Sequence, residues 1–310
     1  MIPGLVLAAV ALGAGLWGLH RLAHLAILRG LRAPRVPHDG SMALLGLPQQ
    51  GLQKLQLQGP GGTCLVAWLA LPAHAPAAGA PAVLVMHGWG ANASMMGPVV
   101  APLLDAGMAV LLLDARCHGE SDDAVFTSMP RFAEDIAAGL RWLQSRSGID
   151  GSRIALIGHS VGAGAALLHA AHTRTAQPVR AVVSLSAFAH PQEVMRSWLA
   201  AHRLPYPVIG WYVLRHVQAV IGASFDDIAP LHTIAAVTCP VLLVHGRDDS
   251  TVPFSDALRL QRAAQHAELL AVAGDHDLRE EMAPQSAAII DFLQRALAAG
   301  PARPAADFAG

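Results

Sequence analysis

The chain has 310 residues and a mass of 32.3 kDa, which suits one large α/β domain with accessory segments and excludes a minimal disulfide scaffold or a repeat array. Hydrophobic residues make up 53% and charged residues 14%, against roughly 25% charged in an average soluble domain, so a large core is available and general disorder is excluded. A net charge of −1 offers no basic field for a nucleic acid, and three scattered cysteines (Cys64, Cys117, Cys239) make neither a disulfide framework nor a paired zinc motif.

From Ile2 to Leu19 no residue is charged, and as helix this stretch would reach about 27 Å, close to the thickness of a bilayer core. Trp17 stands near its end, and Arg21, Arg29, Arg32 and Arg35 follow with no acid before position 39. The expectation is a single membrane-spanning helix whose carboxyl-side arginines leave the large domain in the cytoplasm. A cleaved signal peptide is the competing reading, but it wants positive side chains ahead of its apolar stretch. Leu22, Leu25, Ala26 and Leu28 share a helical face suited to the headgroup layer or to packing on the domain. Residues 1–32 therefore read as an anchor with an interfacial segment, and 33–50, with three prolines and two glycines, as a linker.

Folding proper is expected over 51–298. Leu52, Leu55 and Leu57, then 65–71, suggest a hairpin around Gly59-Pro60-Gly61-Gly62. Short apolar runs follow at 82–86, 109–113, 154–157, 182–185, 241–244 and 269–272, with helical patterns at 98–106, 131–145, 163–172, 254–265 and 283–298. Unbroken apolar strands alternating with helices imply an α/β fold: a mostly parallel eight-stranded sheet, covered by helices on both faces. Residues 299–310 read as a loose tail.

In such sheets chemistry gathers where strands stop. The run at 154–157 is followed by Gly158-His159-Ser160-Val161-Gly162 and a helical pattern, the arrangement of a strand-to-helix elbow that holds a serine on a tight turn. A serine hydroxyl needs a base, and two later strand ends supply partners: His245-Gly246-Arg247-Asp248-Asp249-Ser250-Thr251-Val252-Pro253 and Gly274-Asp275-His276-Asp277. The Val161 amide, at the start of the helix, is a natural donor to an oxyanion. A second glycine-flanked strand end, His87-Gly88-Trp89-Gly90, offers another.

On these motifs the chain resembles the α/β-hydrolases, nearest to the serine aminopeptidase and prolyl-oligopeptidase-like esterase group, over roughly 52–297. The resemblance implies a catalytic acid at Asp249, with Asp248 the alternative, a base at His276, a nucleophile at Ser160 and a second oxyanion donor at the Trp89 amide. Asp114-Ala115-Arg116-Cys117-His118-Gly119-Glu120-Ser121 is similar to the family's D-x-R-G-x-G-x-S loop, with Cys117 where glycine is usual; a positive φ there would strain the cysteine. Asp275 and Asp277 read as cap or surface charges, and His87 as a core histidine.

About fifty residues separate the runs at 182–185 and 241–244, so an insertion is expected at about 187–235. It resembles the small helical caps of the family. Its rings include Trp198, Tyr206, Trp211 and Tyr212, read here as an apolar substrate wall, with the insertion's own core as the competing role. The expected activity is that of a membrane-anchored serine esterase acting on an uncharged acyl substrate. A peptidase would want cap acids such as Glu193, Asp226 or Asp227 for an ammonium group; acyl transfer and a non-catalytic binding module are the other readings. No cofactor is expected. His169-x-x-His172 lacks a third ligand and no His-Glu-x-x-His occurs, so no metal is expected either.

Overall fold

The computed structural model describes residues 2–38, 51–74, 76–172 and 178–298, with the side chains of 2–4 and 281–283 excepted. Most of the expected linker and the whole expected tail lie outside the described residues.

Eight strands form one sheet: β1 (Leu52–Gln58), β2 (Cys64–Ala70), β3 (Ala80–Met86), β4 (Ala109–Leu113), β5 (Ile149–His159), β6 (Ala181–Leu185), β7 (Val241–Gly246) and β8 (Ala267–Val272). Their spatial order is β1-β2-β4-β3-β5-β6-β7-β8. The sheet is mixed. β1 and β2 pair antiparallel, β2 pairs antiparallel with β4, and every later pairing is parallel. The glycine-rich turn at Pro60–Gly62 joins the hairpin as its sequence suggests.

Ten helices accompany the sheet among the described residues: α1 (Ile2–Gly30), α2 (Val100–Asp105), α3 (Met129–Ser145), α4 (Val161–Ala171), α5 (Pro191–Ala201), α6 (Trp211–Ile221), the single turns α7 (Phe225–Ile228) and α8 (Pro230–Thr233), α9 (Phe254–Ala263) and α10 (Arg279–Ala298). The strand interiors are apolar on both sides because both faces are covered. Leu84, Met86, Leu111, Leu113 and Leu156 pack with Phe132, Ile136 and Leu140 of α3 and with α4. The alternate residues Val83, Val85, Val110, Leu112 and Ile157 face the opposite way and pack with Leu103, Phe292 and Leu293. This two-fold alternation along each strand yields two apolar layers, and their joint closure fixes where the strand ends fall.

Between β6 and β7 the expected insertion forms α5, a wide helical turn at Tyr206–Gly210, α6, α7 and α8. α1 is apolar and long enough to cross a membrane, although a signal sequence has the same character; its spanning window is unburied. Its last turns are tied down. His20 Nδ1 lies 2.9 Å from the Tyr212 hydroxyl, and His24 Nδ1 lies 2.9 Å from His216 Nε2 of α6. Residues 33–38, expected within the linker, are pinned to the domain: Arg35 pairs with Asp123 at 2.6 Å, His38 with Asp114 at 3.0 Å, and the Asn92 amide donates to the carbonyls of Val36 and Pro37.

Candidate active site

Ser160 sits between β5 and α4 with φ 52° and ψ −116°, a conformation that costs a non-glycine residue on the order of 1–3 kcal/mol. Close contact enforces it. A Cβ at Gly158 would lie 2.3 Å from the Gly162 carbonyl oxygen, and one at Gly162 would lie 2.3 Å from that of His87, so only glycine permits strand and helix to meet so tightly. The Ser160 amide donates to Leu185 O at 2.8 Å, which fastens the turn to the end of β6.

His276 arrives on the loop after β8. Its Nε2 lies 3.1 Å from Ser160 Oγ and its Nδ1 lies 2.8 Å from Asp249 Oδ2. An ionised carboxylate only accepts, so Nδ1 carries the proton and Nε2 is left to accept from the serine hydroxyl. The Asp249 side chain is fully buried. Burial alone would raise its pKa, but His245, His276 and the Val252 amide all donate to it and hold it well below the ordinary carboxylate range. The Thr251 and Val252 amides reach Oδ1 at 2.9 and 2.7 Å, and His245 Nε2 lies 3.2 Å from Oδ2.

Two loop clamps set the imidazole in place. Asp275 accepts from the Ser250 amide at 2.7 Å and from the His276 amide at 2.7 Å, tying the acid loop to the histidine loop. His159 donates from Nε2 to the His276 carbonyl at 2.9 Å. Burial lowers the His159 pKa to about 4, so it stays neutral and keeps this geometry near neutral pH.

The amides of Trp89 and Val161 donate to no acceptor among the described residues, and a Cβ at Gly88 would lie 3.2 Å from Ser160 Cβ, which brings the loop after β3 against the serine. Buried histidines brace that loop. The Ala115 amide donates to His87 Nε2 at 3.1 Å while Nδ1 donates to Gly88 O at 2.7 Å. The Gly90 amide donates to His118 Nε2 at 3.1 Å. Burial first, then the neighbouring His87, lowers the His118 pKa to about 3. Cys117 does adopt positive φ, 65°, and its thiol is engaged by the Ala124 amide at 3.2 Å and the Ala124 carbonyl at 3.5 Å.

A cavity of about 240 Å³ opens beside this constellation, between the Trp89 loop and the start of α10. Trp89, Met95, Met96, Val99, Leu185 and Leu278 give it an apolar lining, and His159 and Asp277 border it from the residues adjoining Ser160 and His276.

Residues 78–223 match the family described as serine aminopeptidase, S33. An uncharacterised protein of Mycobacterium tuberculosis is 33% identical over 191 residues, covering 62% of this chain but only 60% of that protein's own length. Among solved structures, an esterase of Pyrococcus furiosus superposes with a TM-score of 0.66 at 20% identity, over 86% of this chain and 98% of its own. Est1E from Butyrivibrio proteoclasticus, with ferulic acid bound, gives 0.65 at 22% identity over 79% and 100%. The chain has the α/β-hydrolase fold, and its middle segment matches that family's serine aminopeptidase model.

The structure brings Ser160, His276 and Asp249 together, with Trp89 and Val161 alongside. Asp248, the alternative acid, is exposed. Asp277, just ahead of α10, accepts from the Arg279 amide at 3.2 Å. None of the cap rings Trp198, Tyr206, Trp211 and Tyr212 lines this cavity beside Ser160, and Trp211 and Tyr212 border a separate hollow along α6. Trp198 and Trp211 are 54% and 60% exposed, Tyr206 bonds Arg196 at 2.6 Å and packs on the core, and Tyr212 faces α1. The apolar wall comes instead from the segment after β3 and from Leu278. Periodicity in the insertion could not reveal this, because aromatic spacing reports a helical face but not what it meets. His245 and His159 were also missed as partners; their signal was position, since histidines close β5 and β7 and another follows β3. His190, Asp226 and His232 gather possible metal-ligand atoms within 4.8 Å of one another, but they belong to the cap and its base, and the His190 Nδ1 lone pair already accepts from the Gln192 amide at 3.2 Å.

Proposed function

We propose that this protein is a membrane-anchored serine esterase that cleaves carboxylic esters with apolar acyl groups through an acyl-enzyme on Ser160. The observation that carries the reading is the continuous relay from Ser160 Oγ through His276 to Asp249, at 3.1 and 2.8 Å. Ser160 Oγ attacks the ester carbonyl carbon as its proton passes to His276 Nε2, and the imidazolium is stabilised by the buried Asp249 carboxylate. The tetrahedral oxygen is held by the Trp89 and Val161 amides. Collapse breaks the bond to the alcohol oxygen, which takes the proton from His276 and leaves. Water then attacks the acyl-serine by the same steps, releasing the acid and restoring the hydroxyl.

The apolar cavity favours an uncharged acyl chain, in keeping with the description of the Pyrococcus furiosus structural relative as an esterase. The peptidase reading is weaker. Glu193 is committed to Arg259 at 2.7 Å and Asp226 to His190 at 2.9 Å, and neither lines the cavity, nor does Asp227. Residues 1–32 act as the anchor, with the Arg21–Arg35 arginines holding the catalytic domain on the cytoplasmic side.

Turnover of p-nitrophenyl esters tests the activity. The wild type should hydrolyse them, and Met95→Trp, by filling the cavity, should depress kcat/KM for longer acyl chains by about ten-fold or more while sparing the acetate. Equal loss on every chain length would remove the cavity from the acyl site, and a folded wild type inert on all of them would remove the esterase assignment.

A further inference from the structure

The cap carries an exposed apolar patch that the catalytic reading leaves unused. Val208 is 73% exposed, Ile209 43%, Trp211 60% and Trp198 54%, all on α5, the wide turn at Tyr206–Gly210 and the start of α6. Between Glu193 and Asp226 the chain has no acidic residue but has Arg196, Arg203 and Arg215, each exposed. Aromatic and aliphatic side chains with arginines beside them make up the chemistry of a lipid–water boundary, and one acid, Asp227, shares a hollow with Trp211 and Arg215.

The position of the patch relative to α1 says which surface it meets. His20 contacts Tyr212 and His24 contacts His216, so equal steps of four residues in the same direction on both helices make α1 and α6 run parallel where they touch. Moving toward the amino end of α6 is therefore moving toward the uncharged stretch of α1. Trp211 lies level with about Leu19, and the turn that precedes it points further along α1 toward Trp17, at roughly 1.5 Å per helical residue. This is the depth at which Trp17 and Arg21 mark the edge of the apolar span.

We infer that the tip of the cap, Val208 to Trp211, enters the interface of the same bilayer that α1 crosses, giving the protein a second membrane contact beside its anchor. The inference rests on α1 being a membrane span. Two attachments, one from each side of the α1–α6 contact, fix the orientation of the domain on the membrane, where a single helix would leave it free to swivel. The occupant of the patch is the lipid surface.

The test uses the full-length protein reconstituted in phosphatidylcholine–phosphatidylglycerol vesicles, with bromine on the lipid acyl chains near the headgroups as a short-range quencher of tryptophan. Subtracting the emission of Trp211→Phe isolates Trp211, and Trp17→Phe isolates Trp17. Both isolated signals should lose about half their intensity or more in brominated lipid, as expected for indoles at the interface. The double variant V208D/I209D should restore the Trp211 signal and leave Trp17 quenched. Quenching of Trp17 without Trp211 overturns the second contact while leaving the anchor intact. Shielding of Trp211 from aqueous acrylamide without lipid quenching would assign the patch to a protein partner and overturn it equally. If neither tryptophan is quenched, the span and the cap contact fall together.

Discussion

Asp248 and Asp249 are adjacent in sequence and carry the same group, yet only one of them is placed to orient a base. The Asp249 carboxylate is buried under four donors, whereas Asp248 is exposed. Asp249→Asn should lower kcat by about 10⁴, because an amide in place of the carboxylate favours the wrong imidazole tautomer, and Asp248→Asn should keep near-normal turnover. Steady-state kinetics on one ester compares the two; equal losses would contradict the placement. The buried histidines make a separate statement about pH. His118 has a folded pKa of about 3 against the ordinary 6.5, so below pH 6.5 the unfolded chain binds a proton that the folded one refuses. A depressed folded value means that stability is complete above 6.5 and is lost as pH falls toward 3, at up to about 1.4 kcal/mol per pH unit for this one group. His159, lowered to about 4, works in the same direction. The Tm should therefore drop between pH 6.5 and 4.5, and the drop should be shallower in His118→Gln; a decline of unchanged steepness would exclude His118 as its source.

The elbow between β5 and α4 depends on two glycines more than on the serine they present. At Gly162 a methyl group would meet backbone oxygen from the neighbouring strand end, which no side-chain rotation relieves. Gly162→Ala should destabilise the domain by more than about 2 kcal/mol, read from denaturant unfolding; a change within the ±0.5 kcal/mol usual for a surface site would mean the backbone has room to give. Elements of this kind were legible in the sequence because their signals are local. Unbroken apolar runs gave β3 to β8 within a few residues, and Gly158-His159-Ser160-Val161-Gly162 marked its turn by composition. The side chains that brace the site were not legible. His245 reaches Asp249 within one loop, but His159 meets the carbonyl of residue 276, and His118 meets the amide of residue 90. Such pairings follow from which strands lie side by side, and a sheet order in which β4 precedes β3 is invisible to periodicity. The cap aromatics show the same limit from the other side: their number was plain, but the cavity beside Ser160 formed elsewhere, because Met95, Met96 and Leu278 lie where strand ends and α10 converge, while Trp211 and Tyr212 border a separate hollow.

At the scale of the molecule, an α/β-hydrolase fold is joined to an apolar helix through a short segment that is hydrogen-bonded to the domain at Arg35 and His38 and through α6. The charge pattern announced the helix, since four arginines and no acid between positions 2 and 38 contrast with the mixed charge that follows. What the pattern could not announce was that residues 33–38 would be fastened down. If α1 is an anchor, the protein should stay in the membrane pellet after alkaline carbonate extraction and keep its amino-terminal residues by intact mass; release of a shortened chain would make α1 a signal sequence instead. The chemistry remains the part on which the rest depends, and it is open to a single labelling measurement. The folded protein is treated with a fluorophosphonate, and the adduct is located by peptide mass spectrometry. One adduct on Ser160, absent from Ser160→Ala and greatly slowed in His276→Ala, is the expected result. Folded wild-type protein that takes up no label, or takes it up at another residue, would contradict a nucleophilic Ser160 activated by His276.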